Sequence, residues 1–207
     1  MNRTTRARAV RSIAPVAGLL AAGLLVWQGS YAAFNATTAN TSDAWSTGSL
    51  SLTNNGGTAT YSGTTSALFT ETGLKIGDTG TKCITVQSGG SIAGSLKLFR
   101  GTVSGTNSAA LAPALRVTVE AAGVAAATNV AANCTGFPGT GITTLHSATA
   151  LSALPTDYAS ATGVAVATGT QRVAYRITWS LPTTGTTGGD NALQSSTAQA
   201  DLTWEIQ

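Results

Sequence analysis

The chain predicts an all-β protein, an antiparallel β-sandwich placed behind an N-terminal export leader. Three features of the sequence point there. Apolar and polar residues alternate with a period of two through several short runs, the pattern of strands with one buried face. Gly, Ser and Thr clusters separate those runs, and only 9% of residues are charged. The first residues, finally, pass from basic to apolar to small.

The leader is read first. Arg3, Arg6, Arg8 and Arg11 precede an uncharged run over 13–27, which ends at Gln28, Gly29 and Ser30. That run is shorter than the roughly 20 residues a membrane-spanning helix needs. Ser30 and Ala32 offer the small side chains that a signal peptidase accepts, so cleavage is expected between Ala32 and Ala33. The alternative is a leader retained as an anchor, which would be the chain's one association with a membrane. Residues 1–32 are thus read as signal peptide, 33–46 as an extended N-terminal segment, and 47–207 as the sandwich domain.

Removing the leader changes the charge balance. The formal charge of the whole chain is +3, and four of its 11 basic residues but none of its eight acidic ones lie before residue 33. The remainder carries about −1, and no basic patch survives to bind nucleic acid. It is long enough to bury one core.

The strands follow in chain order. Residues 48–53 put Leu50 and Leu52 inward. A weaker run covers 58–62. Residues 81–87 bury Ile84 and Val86, 95–100 bury Leu96 and Leu98, and 115–120 bury Leu115, Val117 and Val119. After a Gly-, Ala- and Asn-rich excursion over 123–141 comes the one helical signal, 147–160, where Leu151, Leu154 and Tyr158 recur at helical spacing although Pro155 interrupts them. Residues 163–168 form another weak strand.

The last two strands carry the clearest pattern. In 172–181, Val173, Tyr175, Ile177, Trp179 and Leu181 alternate with polar or small residues. In 197–206, Ala198, Ala200, Leu202, Trp204 and Ile206 do the same. The turn-forming cluster at 182–189 between them predicts a long-looped hairpin or adjacent strands. Seven or eight short strands fit a sandwich, with jelly-roll and immunoglobulin-like orders both open.

Two cysteines, Cys83 and Cys134, are an even number in an exported chain and predict a disulfide. Closing so long a loop contributes about 4 kcal/mol on the chain-entropy estimate. Cys83 falls opposite Ile84 and Val86 in parity. The bond is therefore expected to pin the 123–141 excursion onto the outside of the sandwich.

The junction between leader and domain carries a resemblance. Ala33-Phe34-Asn35, followed by Trp45-Ser46-Thr47-Gly48-Ser49-Leu50-Ser51-Leu52, resembles the mature start of the camelysin/TasA family, whose leaders are removed by a dedicated signal peptidase of the SipW type. Leu74-Lys75-Ile76-Gly77-Asp78-Thr79 is similar to that family's Lys-Pro-Gly-Asp turn, with Ile76 in place of proline. Tyr175-Arg176-Ile177-Thr178-Trp179, Asp190-Asn191-Ala192 and Thr203-Trp204-Glu205 look like the closing strands of actinobacterial members. The resemblance implies a jelly-roll-like sandwich, export to the extracellular space or cell surface, and assembly into biofilm-matrix fibres in which the N-terminal segment of one subunit completes the sheet of the next.

Chemistry-bearing residues are few. Catalytic zinc needs about three protein ligands, and His146 is the sole histidine, outside any His-Glu-x-x-His arrangement and read as a loop bystander. A serine triad lacks its base for the same reason, so no enzyme is expected. Glu71, Asp78, Asp157 and Asp190 sit beside turn residues. Asp190 next to Asn191 is the best calcium candidate, without the several oxygens such a site wants. No cofactor signature is present. Trp45, Trp179 and Trp204 read as core anchors, while Tyr61 and Phe99 are left as candidate surface contacts. The sequons at Asn35, Asn40 and Asn133 are what so Thr-rich a chain produces by chance.

What remains is backbone. The segment 33–44 is uncharged as far as Asp43, and Phe34, Asn35, Thr37, Thr38 and Thr41 have few means of packing on one another. Freed by cleavage, the segment could pair with an exposed sheet edge of a neighbouring copy, giving a homopolymer, or with other matrix or cell-surface proteins. The competing expectation is a monomeric adhesion or ligand-binding module that works through its long loops.

Overall fold

Among the described residues eight strands stack in two antiparallel sheets, as the alternating runs require. The computed structural model describes residues 49–63 and 65–207, and these belong to one compact unit. The strands are β1 (Leu50–Asn54), β2 (Thr79–Gly90), β3 (Gly94–Arg100), β4 (Arg116–Val124), β5 (Ile142–Ala150), β6 (Gly163–Val166), β7 (Gln171–Ser180) and β8 (Leu202–Ile206). A five-stranded sheet runs β1-β2-β7-β4-β5, and a three-stranded sheet runs β6-β3-β8. The all-β sandwich expected from the alternation is what the chain forms.

The parity of the central strands places the core. Ile84 and Val86 of β2, Val117 and Val119 of β4, and Val173, Tyr175 and Ile177 of β7 face Leu96 and Leu98 of β3 across the gap. All nine are nearly solvent-free. Trp179 and Leu181 are buried as their alternation predicts. Gly80 makes room for the first of these, because a Cβ there would lie 2.6 Å from the indole Nε1.

Several expectations are corrected. β7 and β8 form no hairpin and are not neighbours; they lie in opposite sheets and meet across the core. Leu50, expected inward, is 38% exposed because β1 is an edge strand whose start overhangs the core. Residues 58–62 make no strand. They leave a turn closed by Thr58 N–H on Asn55 O and end in a single bridge between Ser62 and Asn54.

The helical signal at 147–160 gives no α-helix. Residues 147–150 finish β5, one 3₁₀ turn covers Leu151–Ala153, and Pro155 prevents continuation. Among the described residues two short helices occur instead, α1 (Ser108–Ala114) and α2 (Thr187–Ala192), both in stretches too short for a helical period to show. α2 takes its Ncap from Thr186, whose hydroxyl accepts from Gly189 N–H.

The Lys75–Asp78 turn is built as its residues suggest. Asp78 N–H donates to Lys75 O at 3.0 Å, Lys75 N–H donates to the Asp78 carboxylate at 2.8 Å, and Gly77 supplies the positive φ of 95°. The turn starts β2, and its Ile76 is exposed.

Candidate functional site

The disulfide side of the five-stranded sheet is a second, smaller packed region. Cys83 and Cys134 are joined, with Cα atoms 4.9 Å apart. Cys83, Ala174 and Val130 form a buried cluster separate from the main core, with Val124, Cys134 and Phe137 packed around it. The excursion after β4 therefore lies on the outer face of the sheet, as the parity of Cys83 implies. It is held there by more than the disulfide. Cys83 N–H donates to Ala132 O at 3.0 Å, and Val130 N–H donates to the Thr85 hydroxyl at 3.1 Å. Arg172 stacks over Tyr61, and Arg176 over Phe137, each 4.5 Å from the ring centroid.

Those contacts absorb one candidate surface residue. Tyr61 lies under Arg172, and its hydroxyl donates to Asn129 Oδ1 at 2.9 Å. Phe99 sits half-buried in β3 opposite Thr203.

The titratable residues are dispersed. His146 lies in β5 and not in a loop; its ring is half-buried, Nε2 has no partner, and burial pushes its pKa down. Among the described residues no three of His, Cys, Asp and Glu come close enough to hold a metal ion. The Asp190 carboxylate is taken by its own loop: Thr184 N–H, Thr184 Oγ1 and Thr183 Oγ1 all donate to it within 2.8 Å and hold its pKa below the ordinary carboxylate value. Asp157 does the same with Ser160. Both carboxylates stabilise turns.

The sheet edges are where the backbone is left unsatisfied. Among the described residues β8 closes the three-stranded sheet on one side and pairs only with β3. Gln207 and Asp201, which flank it, bond Ser95 and Gly101 of the β3 side, so the residues two apart between them, Thr203 and Glu205, take the same orientation. The N–H and C=O groups of Leu202, Trp204 and Ile206 consequently point outward, and no described residue bonds them.

A groove adjoins that edge. It lies between β1 and β2 of the five-stranded sheet and β8 of the three-stranded one. The space is about 580 Å³, with Leu52, Ile84, Val86, Leu202 and Trp204 among its walls and Thr53, Asn54 and Thr203 on its rim. Leu68 and Phe69, from the β1–β2 connection, close part of it. On the opposite flank, beside β6, lies a hollow of about 370 Å³ lined mainly by small residues such as Ala121, Gly141, Gly163 and Ala165. It offers little apolar surface.

β1 borders the same groove. Its odd residues bond β2, Asn54 is tied to Ser62 in both directions at 2.8 Å, and the outward groups of Leu50 and Leu52 are free among the described residues. The alternation of Leu202, Trp204 and Ile206 was legible in the sequence. That the main-chain groups of those same residues lack a neighbour was not, because it depends on strand order.

Of the residues singled out from the sequence, Ala32, Ala33, Phe34, Asn35, Thr37, Thr38, Thr41 and Trp45 lie outside the described residues. No described helix is long and apolar enough to cross a membrane. A scan of protein-family models finds no match to the chain, and a comparison with curated proteins finds none.

Proposed function

We propose that the protein is an exported, non-catalytic structural component of the cell surface or biofilm matrix, with a jelly-roll-like sandwich of the kind the camelysin/TasA resemblance implies. Its subunits join when the 33–46 segment of one copy adds as a strand to the β8 edge of the next. The observation that carries this reading is the edge at Leu202, Trp204 and Ile206, unpaired among the described residues and beside an apolar groove. Main-chain bonds supply affinity in such a pairing, and inward side chains fill the groove.

Chain direction favours a second copy over the molecule's own segment. β1 begins, and β8 ends, at the end of the sandwich where β2 passes to β3 through Ser91, Ile92 and Ala93. A segment leading straight into β1 would finish at that end and run parallel to β8. Every pairing in both sheets is antiparallel, and antiparallel pairs are the more stable per residue. A neighbouring copy can enter in the antiparallel sense. Repeated head to tail, that contact does not close on itself and builds a filament.

Electron microscopy of the leader-free protein beside a variant lacking residues 34–43 tests the reading. Fibres from the intact chain and a folded, dispersed deletion variant are expected. Unchanged fibres from the variant would refute strand addition by this segment. Glycan binding by a protein that never assembles would favour the adhesion module.

A further inference from the structure

We infer that Thr65–Phe69 is a displaceable strap, which closes the groove beside β8 in the single molecule and must leave it before a strand can pair there. This rests on the strand-addition reading and concerns the regulation of the same site. All five of its residues line the groove together with Leu202, Thr203 and Trp204 of β8. Leu68 and Phe69 are half-buried against the core, while Thr65, Ser66 and Ala67 are exposed. Among the described residues its polar attachment is one exposed hydrogen bond, Thr65 Oγ1 to Asn54 Oδ1 at 2.8 Å.

Among the described residues no main-chain hydrogen bond ties 65–69 to the rest of the protein. The strap thus covers apolar surface without pairing the outward groups of Leu202, Trp204 and Ile206. An incoming strand can replace two half-buried side chains with its own and add the ladder bonds that the strap leaves unmade. Removal of the strap costs the molecule apolar burial and no backbone pairing. That asymmetry makes it a guard for the edge and not a part of the sandwich.

The test uses leader-free protein and a synthetic peptide of residues 33–46. In an Ala67→Cys variant, whose added thiol is the one not engaged in the Cys83–Cys134 bond, a spin label reports strap mobility. Saturating peptide is expected to convert the label from restricted to mobile. A Leu68→Ser, Phe69→Ser double variant should bind the peptide about tenfold more tightly, a difference of about 1.4 kcal/mol, and Thr65→Val should do the same more weakly if the double variant fails to fold. Slowed hydrogen exchange at Leu202, Trp204 and Ile206 identifies peptide bound at the β8 edge. Peptide bound there with the label still restricted would overturn the strap while leaving strand addition standing. No peptide binding to wild type or to any strap variant would instead overturn strand addition itself, and the strap with it.

Discussion

Asn55 and Thr85 bond each other twice. Asn55 N–H donates to Thr85 O at 3.0 Å, and Thr85 N–H donates to Asn55 Oδ1 at 2.8 Å. Both side chains are fully buried. The Asn55 amide then reaches Val130 O, Asn129 Oδ1 and Thr58 O, all within 3.1 Å, so one residue joins the end of β1, the middle of β2 and the excursion over the outer face.

Replacing Asn55 removes a donor and an acceptor from a dry site at once. Asn55→Ala leaves Thr85 N–H and Val130 O without their partners, and each such loss costs about 1–3 kcal/mol. A loss of about 3 kcal/mol is expected, read from the urea midpoint at constant m-value. A loss under 1 kcal/mol would show that Asn55 contributes little to holding the excursion.

The disulfide should prove partly redundant for the same reason. Its chain-entropy contribution is about 4 kcal/mol, but Cys83 belongs to a buried cluster separate from the main core, and the main-chain bond to Ala132 does not depend on sulfur. Paired Cys83→Ala and Cys134→Ala replacement is expected to lower stability by about 2–4 kcal/mol and leave near-ultraviolet circular dichroism intact. Hydrogen exchange should quicken over 125–140 and stay slow in β7. Loss of protection in β7 as well would contradict the independence of the two clusters.

Tyr175 meets Trp204 edge to face across the core, with ring centroids 5.7 Å apart, and its hydroxyl has no hydrogen-bond partner. Burying an unpaired hydroxyl is unfavourable, so Tyr175→Phe, which keeps the ring, is expected to raise stability by about 1 kcal/mol. Burial also pushes the Tyr175 pKa above its ordinary value of 10.0. The unfolded chain therefore loses this proton first. Stability is complete below about pH 10 and falls as pH rises above it, by up to about 1.4 kcal/mol per pH unit from this group. The Phe variant should lose less over the same window, and identical alkaline slopes for the two proteins would contradict this.

That same pair marks what alternation can and cannot reveal. Alternation assigns a face: it placed Val173, Tyr175 and Ile177 inward, set Cys83 on the opposite side from Ile84 and Val86, and so anticipated where the excursion lies. It does not assign a partner, so alternation alone leaves β7 and β8 as neighbours, whereas they face each other across the core. β5 went unseen because its apolar residues, Ile142 and Leu145, do not alternate and its register against β4 is broken at Val119. The candidate site was legible only in part. Its apolar side chains show in the sequence, whereas an unpaired edge is a property of the assembled sheets.

The register of β8 gives the sharpest test of that edge. Thr203 N–H points to β3 and Leu202 N–H points away from it, because antiparallel residues alternate in orientation and the flanking Asp201 and Gln207 bond the β3 side. Proline removes the N–H in either case, with opposite consequences. Thr203→Pro breaks a ladder bond inside the sheet and is expected to cost about 3 kcal/mol, although the Thr203 side chain is exposed. Leu202→Pro stands at the first residue of the strand, where proline is tolerated, and should cost only the half-buried leucine side chain, about 1 kcal/mol. For assembly the order reverses in significance: Leu202→Pro deletes a donor that an added strand would use, so a well-folded Leu202→Pro protein should form fibres poorly or not at all. Thermal unfolding and electron microscopy of the two variants measure both effects. Normal fibres from Leu202→Pro, with its stability near wild type, would move the acceptor away from β8.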